Sequence, residues 1–146
     1  MRGLLLDDDP RGLDRARDCA RVLKDKRMLE AYCRPGVEWS WVKNFDEFVA
    51  WVRANGIPDI LAFDHDLDEE AYALYVKNGG YVDREIDYSE YKEKTGFHCA
   101  QWLVEHCMDT GSQLTAEFHA HSMNPGGREN ISRLLTRYRR FQLSGR

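Results

Sequence analysis

The sequence predicts an α/β domain in which a mostly parallel sheet of strand order 2-1-3-4 lies between layers of helices. Short apolar runs alternate with amphipathic helical patterns four times along the chain, and short connections with right-handed crossovers leave few other arrangements. Two of the apolar runs end in aspartates, which places acids beyond the carboxyl ends of strands. With 146 residues, 42% of them hydrophobic, the chain is long enough for one core, so we predict a single domain over residues 1–146.

The first half of the chain is predicted to contain three strands and two helices. Residues 3–6 form an apolar run typical of a strand buried on both faces, and the run stops at Asp7. The first helix follows Pro10, with apolar positions three and four residues apart. The second helix begins near Asn44 and ends at the stop signal Asn55-Gly56. The other two strands are predicted at residues 36–42 and 59–63.

The second half of the chain begins with a segment that interrupts this alternation. Residues 68–94 combine many charges with bulky side chains, and we interpret them as an insertion at one end of the sheet. Regular structure resumes at a helix cap, Thr95-Gly96, and continues with a strand over residues 113–121 and a helix over about 127–142. The predicted fold therefore ends after its fourth helix.

Composition excludes several classes of protein. The longest continuous apolar run near the start is residues 4–6, so we expect neither a signal peptide nor a membrane partner and predict a cytoplasmic protein. The four cysteines show no CxxC spacing. Disulfides and a four-thiolate zinc site are therefore not expected.

Charge is unevenly distributed along the chain. Residues 64–93 carry ten acids and three basic residues, whereas residues 128–146 carry six arginines and one glutamate. An acidic middle and a basic end suit a protein that binds a metal at one place and an anion at another. Two solvated faces of opposite charge are the alternative interpretation.

The aspartates after strands one and three are the strongest chemical signal. Asp7, Asp8 and Asp9 follow the first strand, while Asp64 and Asp66 follow the third and share a face because strand side chains alternate. Ligands of parallel sheets bind beyond the carboxyl ends, where strand order reverses, which is here between strands one and three. Two like charges about 4 Å apart repel by about 4 kcal/mol at an effective dielectric of 20. The sequence therefore predicts that Asp7, Asp8, Asp64 and Asp66 bind a divalent metal such as Mg²⁺, Mn²⁺ or Ca²⁺. The alternative is that one or two of the acids cap the following helices, Asp9 more readily than Asp64.

A second polar cluster follows the fourth strand, in the sequence HAHSMNPGGR of residues 119–128. Its Asn-Pro-Gly-Gly turn leads into the N-terminus of the last helix, where backbone N–H groups with Ser122, Asn124 and Arg128 predict a phosphate-binding site. His65 and His121 flank the two clusters and are candidates for proton transfer, because the unperturbed pKa of histidine lies near neutrality. The alternative for His121 is an ordinary strand residue.

Four motifs in this order, LLLDDDP, FDHDL, TGFHCAQWLVE and HSMNPGGRENI, resemble the cyclic-phosphate processing receiver domain family of bacteria and phages. The resemblance covers most of the chain outside residues 68–94. It implies a receiver-like (flavodoxin-like) three-layer fold that processes or senses cyclic phosphate ends of RNA or nucleotides, a role associated with RNA repair. By position, Asp7 and Asp8 match the acidic pair of receivers, Asp64 their phospho-acceptor and Ser122 their small hydroxyl residue.

These observations favour a metal-dependent phosphoesterase that hydrolyses a cyclic phosphate in an RNA end or a nucleotide. In this interpretation Asp64, His65 and His121 are catalytic, and Mg²⁺ or Mn²⁺ is the cofactor. The alternative is a non-catalytic sensor or sponge that binds a nucleotide or RNA end with the same pocket and the basic last helix. A phospho-accepting signalling receiver is disfavoured, because the fifth strand, its lysine and the fifth helix of such receivers have no counterpart in the pattern.

Overall fold

The computed structural model describes residues 1–67 and 94–144, so the predicted insertion lies outside the described residues except for Lys94. None of the helices in the described ranges is long and apolar enough to cross a membrane. The elements of these ranges, in chain order, are β1 (Arg2–Leu6), α1 (Leu13–Val22), α2 (Lys26–Tyr32), β2 (Glu38–Val42), α3 (Phe45–Asn55), β3 (Ile60–Phe63), α4 (Gly96–Thr110), β4 (Glu117–Ala120) and α5 (Pro125–Ser144).

The sheet has the order β2-β1-β3-β4, and each neighbouring pair is parallel. This confirms the predicted strand order. The ladder continues one residue past three of the strands, since the backbone N–H groups of Asp7, Asp64 and His121 donate to carbonyl groups of the adjacent strands at 2.9–3.0 Å. The residues that follow β1, β3 and β4 are therefore held in one row at the carboxyl edge of the sheet.

The two faces of the sheet bury separate apolar clusters. Leu5, Ile60 and Ala62 pack against α1 and α2 on one face. Leu61 and Phe63, from alternate positions of β3, pack against α3, α4 and α5 on the other. Strand residues alternate between faces, so buried runs of this kind supply both clusters and produce the predicted three layers.

The prediction of a single helix between the first two strands is wrong, because two helices lie there. The chain leaves α1 at Val22 and turns at Lys24, which has a positive φ of 55°. Asp25 then caps α2 by accepting a hydrogen bond from the Met28 N–H at 3.0 Å. Helix α2 ends with the fully buried Tyr32, and its presence makes α5 the fifth helix of the described residues rather than the fourth.

The fourth strand is shorter than predicted. It pairs with β3 only from Glu117, whereas the prediction began at Gln113. The Leu114 N–H instead donates to the side-chain oxygen of Gln142 in α5 at 2.8 Å, which satisfies the backbone without a strand partner. Helix α5 starts at Pro125, two residues before its predicted start, at a position where proline is favoured.

Candidate functional site

Three carboxylates converge at the carboxyl edge of the sheet. Asp7 follows β1 and Asp64 follows β3, and each offers an oxygen that lies within 4.8 Å of the other and of an oxygen of Asp8. Asp7 and Asp64 are buried, with exposed fractions of 0% and 2%, whereas Asp8 is exposed. The convergence predicted from the strand order is confirmed for these three aspartates.

Arg15 reaches this cluster from the first turn of α1 and was not predicted from the sequence. Its Nη1 lies 3.0 Å from Oδ2 of Asp7 and 3.0 Å from Oδ2 of Asp64. Burial lowers the pKa of the guanidinium, but the two carboxylates raise it, and the result is a pKa above the ordinary value. One cation therefore joins two buried acids that belong to different strands.

The two buried aspartates have pKa values shifted in opposite directions. Burial, followed by the negative charge of Asp7, raises the pKa of Asp64 well above its usual range. Burial also raises the pKa of Asp7, but the hydrogen bond from His121 and the charge of Arg15 oppose burial, and the pKa of Asp7 is lowered. Asp7 is therefore the member of the pair that ionises more readily.

The donor set of this cluster fits a hard divalent cation. Asp7, Asp8 and Asp64 supply carboxylate oxygens, which are the ligands that Mg²⁺ and Mn²⁺ prefer. A divalent ion would also favour the ionised form of Asp64 in this buried setting. Asp66, the fourth predicted ligand, lies outside this group.

A buried hydrogen-bond chain leads from α2 to Asp7 through His121. The Nε2 of His121 lies 2.8 Å from Oδ2 of Asp7, and its Nδ1 lies 2.9 Å from the hydroxyl of Tyr32. Burial lowers the pKa of His121, which favours the neutral ring. A neutral ring that donates from Nε2 to Asp7 accepts from the Tyr32 hydroxyl at Nδ1. Both ring nitrogens of His121 are thus engaged, and the side chain orients Asp7.

Tyr32 belongs to the site although sequence reasoning missed it. The Tyr32 and His121 side chains are both fully buried, and their rings meet edge to face with centroids 5.5 Å apart. A signal was present in the sequence, since Met28, Ala31 and Tyr32 have helical spacing and Asp25 precedes Met28 by three residues as a cap.

His65, Asp66 and Asn124 form a second polar group beside the carboxylates. The Nδ1 of His65 lies 2.6 Å from Oδ1 of Asp66, and the Asn124 side-chain amide donates to the same oxygen at 3.3 Å. The ring of His65 packs against the start of α5, where a Cβ on Gly127 would lie 2.2 Å from its Cγ. A glycine is therefore required at this position for His65 to approach the helix.

Ser122 and Asn124 lie in the turn between β4 and α5, and Arg128 lies in the first turn of α5. The Oγ of Ser122 accepts from the Asn124 N–H at 3.1 Å, and Oδ1 of Asn124 accepts from the Gly127 N–H at 3.1 Å. Nη1 of Arg128 donates to the Ser122 carbonyl at 2.8 Å. These contacts fix the shape of the turn and hold its side chains at the N-terminus of α5.

Comparison with protein families yields a match over most of the chain. The family model described as the cyclic-phosphate processing receiver domain matches residues 2–137, which is nearly the whole chain. No curated protein and no solved structure matches the chain significantly. The matched range includes both strand ends that carry the aspartates and the whole turn that precedes α5.

Proposed function

The chain belongs to the family of cyclic-phosphate processing receiver domains, and from this premise we propose that it is a divalent-metal-dependent phosphoesterase acting on a cyclic phosphate of an RNA end or a nucleotide. The observation that carries the proposal is the position of the three carboxylates, two of them buried, in the same row as the turn before α5. One group suits a metal and the other a phosphate, and metal-dependent phosphoester hydrolysis uses both.

Asp7, Asp8 and Asp64 would hold the cation. The bound ion would supply a Lewis acid for the phosphoryl group or lower the pKa of a water nucleophile. His121 acts as a positioning residue, since its Nε2 bond of 2.8 Å fixes one oxygen of Asp7 and its other nitrogen is occupied by Tyr32.

His65 is assigned to proton transfer. Its Nδ1 contact with Asp66, at 2.6 Å, orients the imidazole, as carboxylate partners do for catalytic histidines. The phosphate is assigned to the N-terminus of α5, where Ser122 and Asn124 shape the turn and Arg128 contributes a guanidinium. Positive partial charge at a helix N-terminus and an arginine fork both stabilise negative charge as it develops on phosphate oxygens.

The test is incubation with Mg²⁺ or Mn²⁺ and a panel of 2′,3′- and 3′,5′-cyclic nucleotides and RNA oligonucleotides that end in a 2′,3′-cyclic phosphate. We expect metal-dependent opening of the cyclic phosphate that is lost in Asp64→Asn. Asp59→Asn is the matched control, because Asp59 precedes β3 and Asp64 follows it, so the two acids lie at opposite ends of one strand. No product with any substrate, or full activity of Asp64→Asn, would refute the proposal.

Binding of an RNA end without turnover is the second candidate function, and the surface of α5 favours it. Arg133, Arg137 and Arg140 are exposed and recur along one side of the helix, where they line a groove of about 430 Å³. Glu129, which pairs with Arg133, completes the lining together with Ser132 and Thr136. Such a row of cations suits the phosphates of a single strand.

Arg139 does not belong to this row. Its guanidinium lies 4.6 Å from the ring centroid of Phe118 and donates to the Ala116 carbonyl, so it packs against the fold.

RNA binding through this row predicts a steep salt dependence. Replacing Arg137 and Arg140 by Gln removes two phosphate contacts, which should reduce the slope of log K against log salt by about 1.4, at about 0.7 per contact for single strands. The control is the double variant of Lys26 and Arg27 to Gln, which removes the same charge from exposed positions of α2. Equal slopes for both double variants would refute binding by α5.

A further inference from the structure

Arg15 is the only cation of the described residues that contacts both buried aspartates, and the proposed mechanism gives it no task. We propose that Arg15 is an internal counter-ion that a divalent metal must displace, so that this side chain sets the metal affinity of the site. The inference rests on the proposed function, because it concerns the cation that this function requires.

The guanidinium lies between two of the carboxylates that would hold a metal. A single atom, Nη1, lies 3.0 Å from both carboxylates. An ion bound to the same two side chains would lie about 2.0–2.6 Å from their oxygens. Both cations would then compete for one small space between Asp7 and Asp64, and two positive charges at that separation repel strongly.

Arg15 has a route out of this space that needs no backbone movement. Its side chain is 23% exposed, and its Nε already lies 3.9 Å from Oδ2 of Asp9, which is 35% exposed. Rotation of the side chain toward Asp9 and solvent would release Nη1 from the buried pair while it keeps a carboxylate partner. The helix that carries Arg15 remains packed, because Ala16, Cys19 and Ala20 are the buried residues of α1.

The charge count explains why the exchange can be favourable. The cluster of Asp7, Asp8 and Asp64 carries up to three negative charges against one guanidinium. A divalent ion offers twice the charge at shorter distances, but it must release Arg15 to bind. The metal affinity of the native protein is therefore lower than the carboxylates alone would give, and removal of the guanidinium should raise it.

The experiment measures Mn²⁺ binding by calorimetry and by paramagnetic resonance for the full chain and for Arg15→Met, without substrate. We expect Arg15→Met to bind Mn²⁺ at least tenfold more tightly. Arg21→Met is the control, because Arg21 lies on the same helix and pairs only with the half-exposed Asp18 among the described residues. Its affinity should match that of the native protein.

A complementary measurement uses the native protein, in case Arg15→Met and its alternative Arg15→Gln do not fold. Titration with Mg²⁺ should shift the side-chain N–H resonances of Arg15 at the same concentrations that shift the amides of Asp7 and Asp64. Binding by the native protein with no gain in Arg15→Met, or an Arg15 resonance that Mg²⁺ leaves in place, would overturn the inference while the proposed metal site stands. Absence of Mn²⁺ binding in every variant would overturn the metal site and this inference together.

Discussion

Replacement of Asp64 by Asn should stabilise the protein in the absence of metal while it abolishes turnover. The pKa of Asp64 is raised by burial and by the nearby Asp7, so the ionised carboxylate is unfavourable in the folded state. Asparagine has nearly the same shape as the protonated acid and carries no charge. The substitution therefore removes an unfavourable charge from the fold and, in the same step, a metal ligand from the proposed mechanism.

The magnitude of this stabilisation depends on repulsion from Asp7, attraction to Arg15 and the burial of the Asp64 carboxylate. The oxygens of Asp7 and Asp64 lie no more than 4.8 Å apart, which gives a repulsion of about 3.5 kcal/mol at an effective dielectric of 20. Arg15 at 3.0 Å contributes an attraction of about 5.5 kcal/mol on the same scale. Burial of a carboxylate costs several kcal/mol more. The balance favours the asparagine variant by about 1–3 kcal/mol near neutral pH.

The pH dependence provides the sharpest assay. Because the folded pKa of Asp64 lies above its unfolded value of about 3.8, the native protein loses stability as pH rises through the folded pKa, and Asp64→Asn does not. Urea unfolding with a chelator should therefore show the largest gap between the two proteins at about pH 8 and almost none near pH 4. Asp59→Asn should show no such gap. If Asp64→Asn is the less stable protein at pH 8, the attraction of Arg15 outweighs burial and repulsion, and the reasoning fails.

Two further substitutions test the contacts of His121 and His65, the histidines beside the carboxylates. Tyr32→Phe keeps the ring but leaves Nδ1 of His121 without its hydroxyl partner at 2.9 Å. The free energy of unfolding in urea should therefore fall by about 1–3 kcal/mol. An unchanged free energy of unfolding would mean that the hydroxyl is not a net stabilising partner. Gly127→Ala would place a Cβ 2.2 Å from Cγ of His65, and we expect loss of cyclic-phosphate turnover with a native circular dichroism spectrum. An active Gly127→Ala would argue against His65 as the proton-transfer group.

The parts of the fold that could be predicted are those governed by local pattern and parallel pairing. Buried runs gave the strand positions, and parallel strands end at a common edge, so the meeting of Asp7 with Asp64 followed without coordinates. Helix α2 was missed because it has only seven residues and follows α1 after a short turn at Lys24, too close for the two periodic patterns to be separated.

The parts of the site that could not be predicted depend on contacts between distant segments. Asp66 was expected beside Asp64 from strand alternation, but β3 ends at Phe63, so that rule no longer applies and the Asp66 carboxylate accepts from His65 instead. Arg15 and Tyr32 lie on helices, and nothing in their own neighbourhood indicates that they reach acids or histidines of other elements.

A close backbone contact joins the residues after β3 to the start of α4. The Gly96 N–H donates to the His65 carbonyl at 2.8 Å, and a Cβ on Gly96 would lie 1.8 Å from the Asp64 carbonyl oxygen. Leu67 and Thr95, which come just after His65 and just before Gly96 in the sequence, are both buried. Each doubling of loop length adds only about 0.6 kcal/mol of closure entropy. We therefore expect the chain between these two buried residues to accept changes in length, including a grafted reporter or affinity tag, without a change in the sheet.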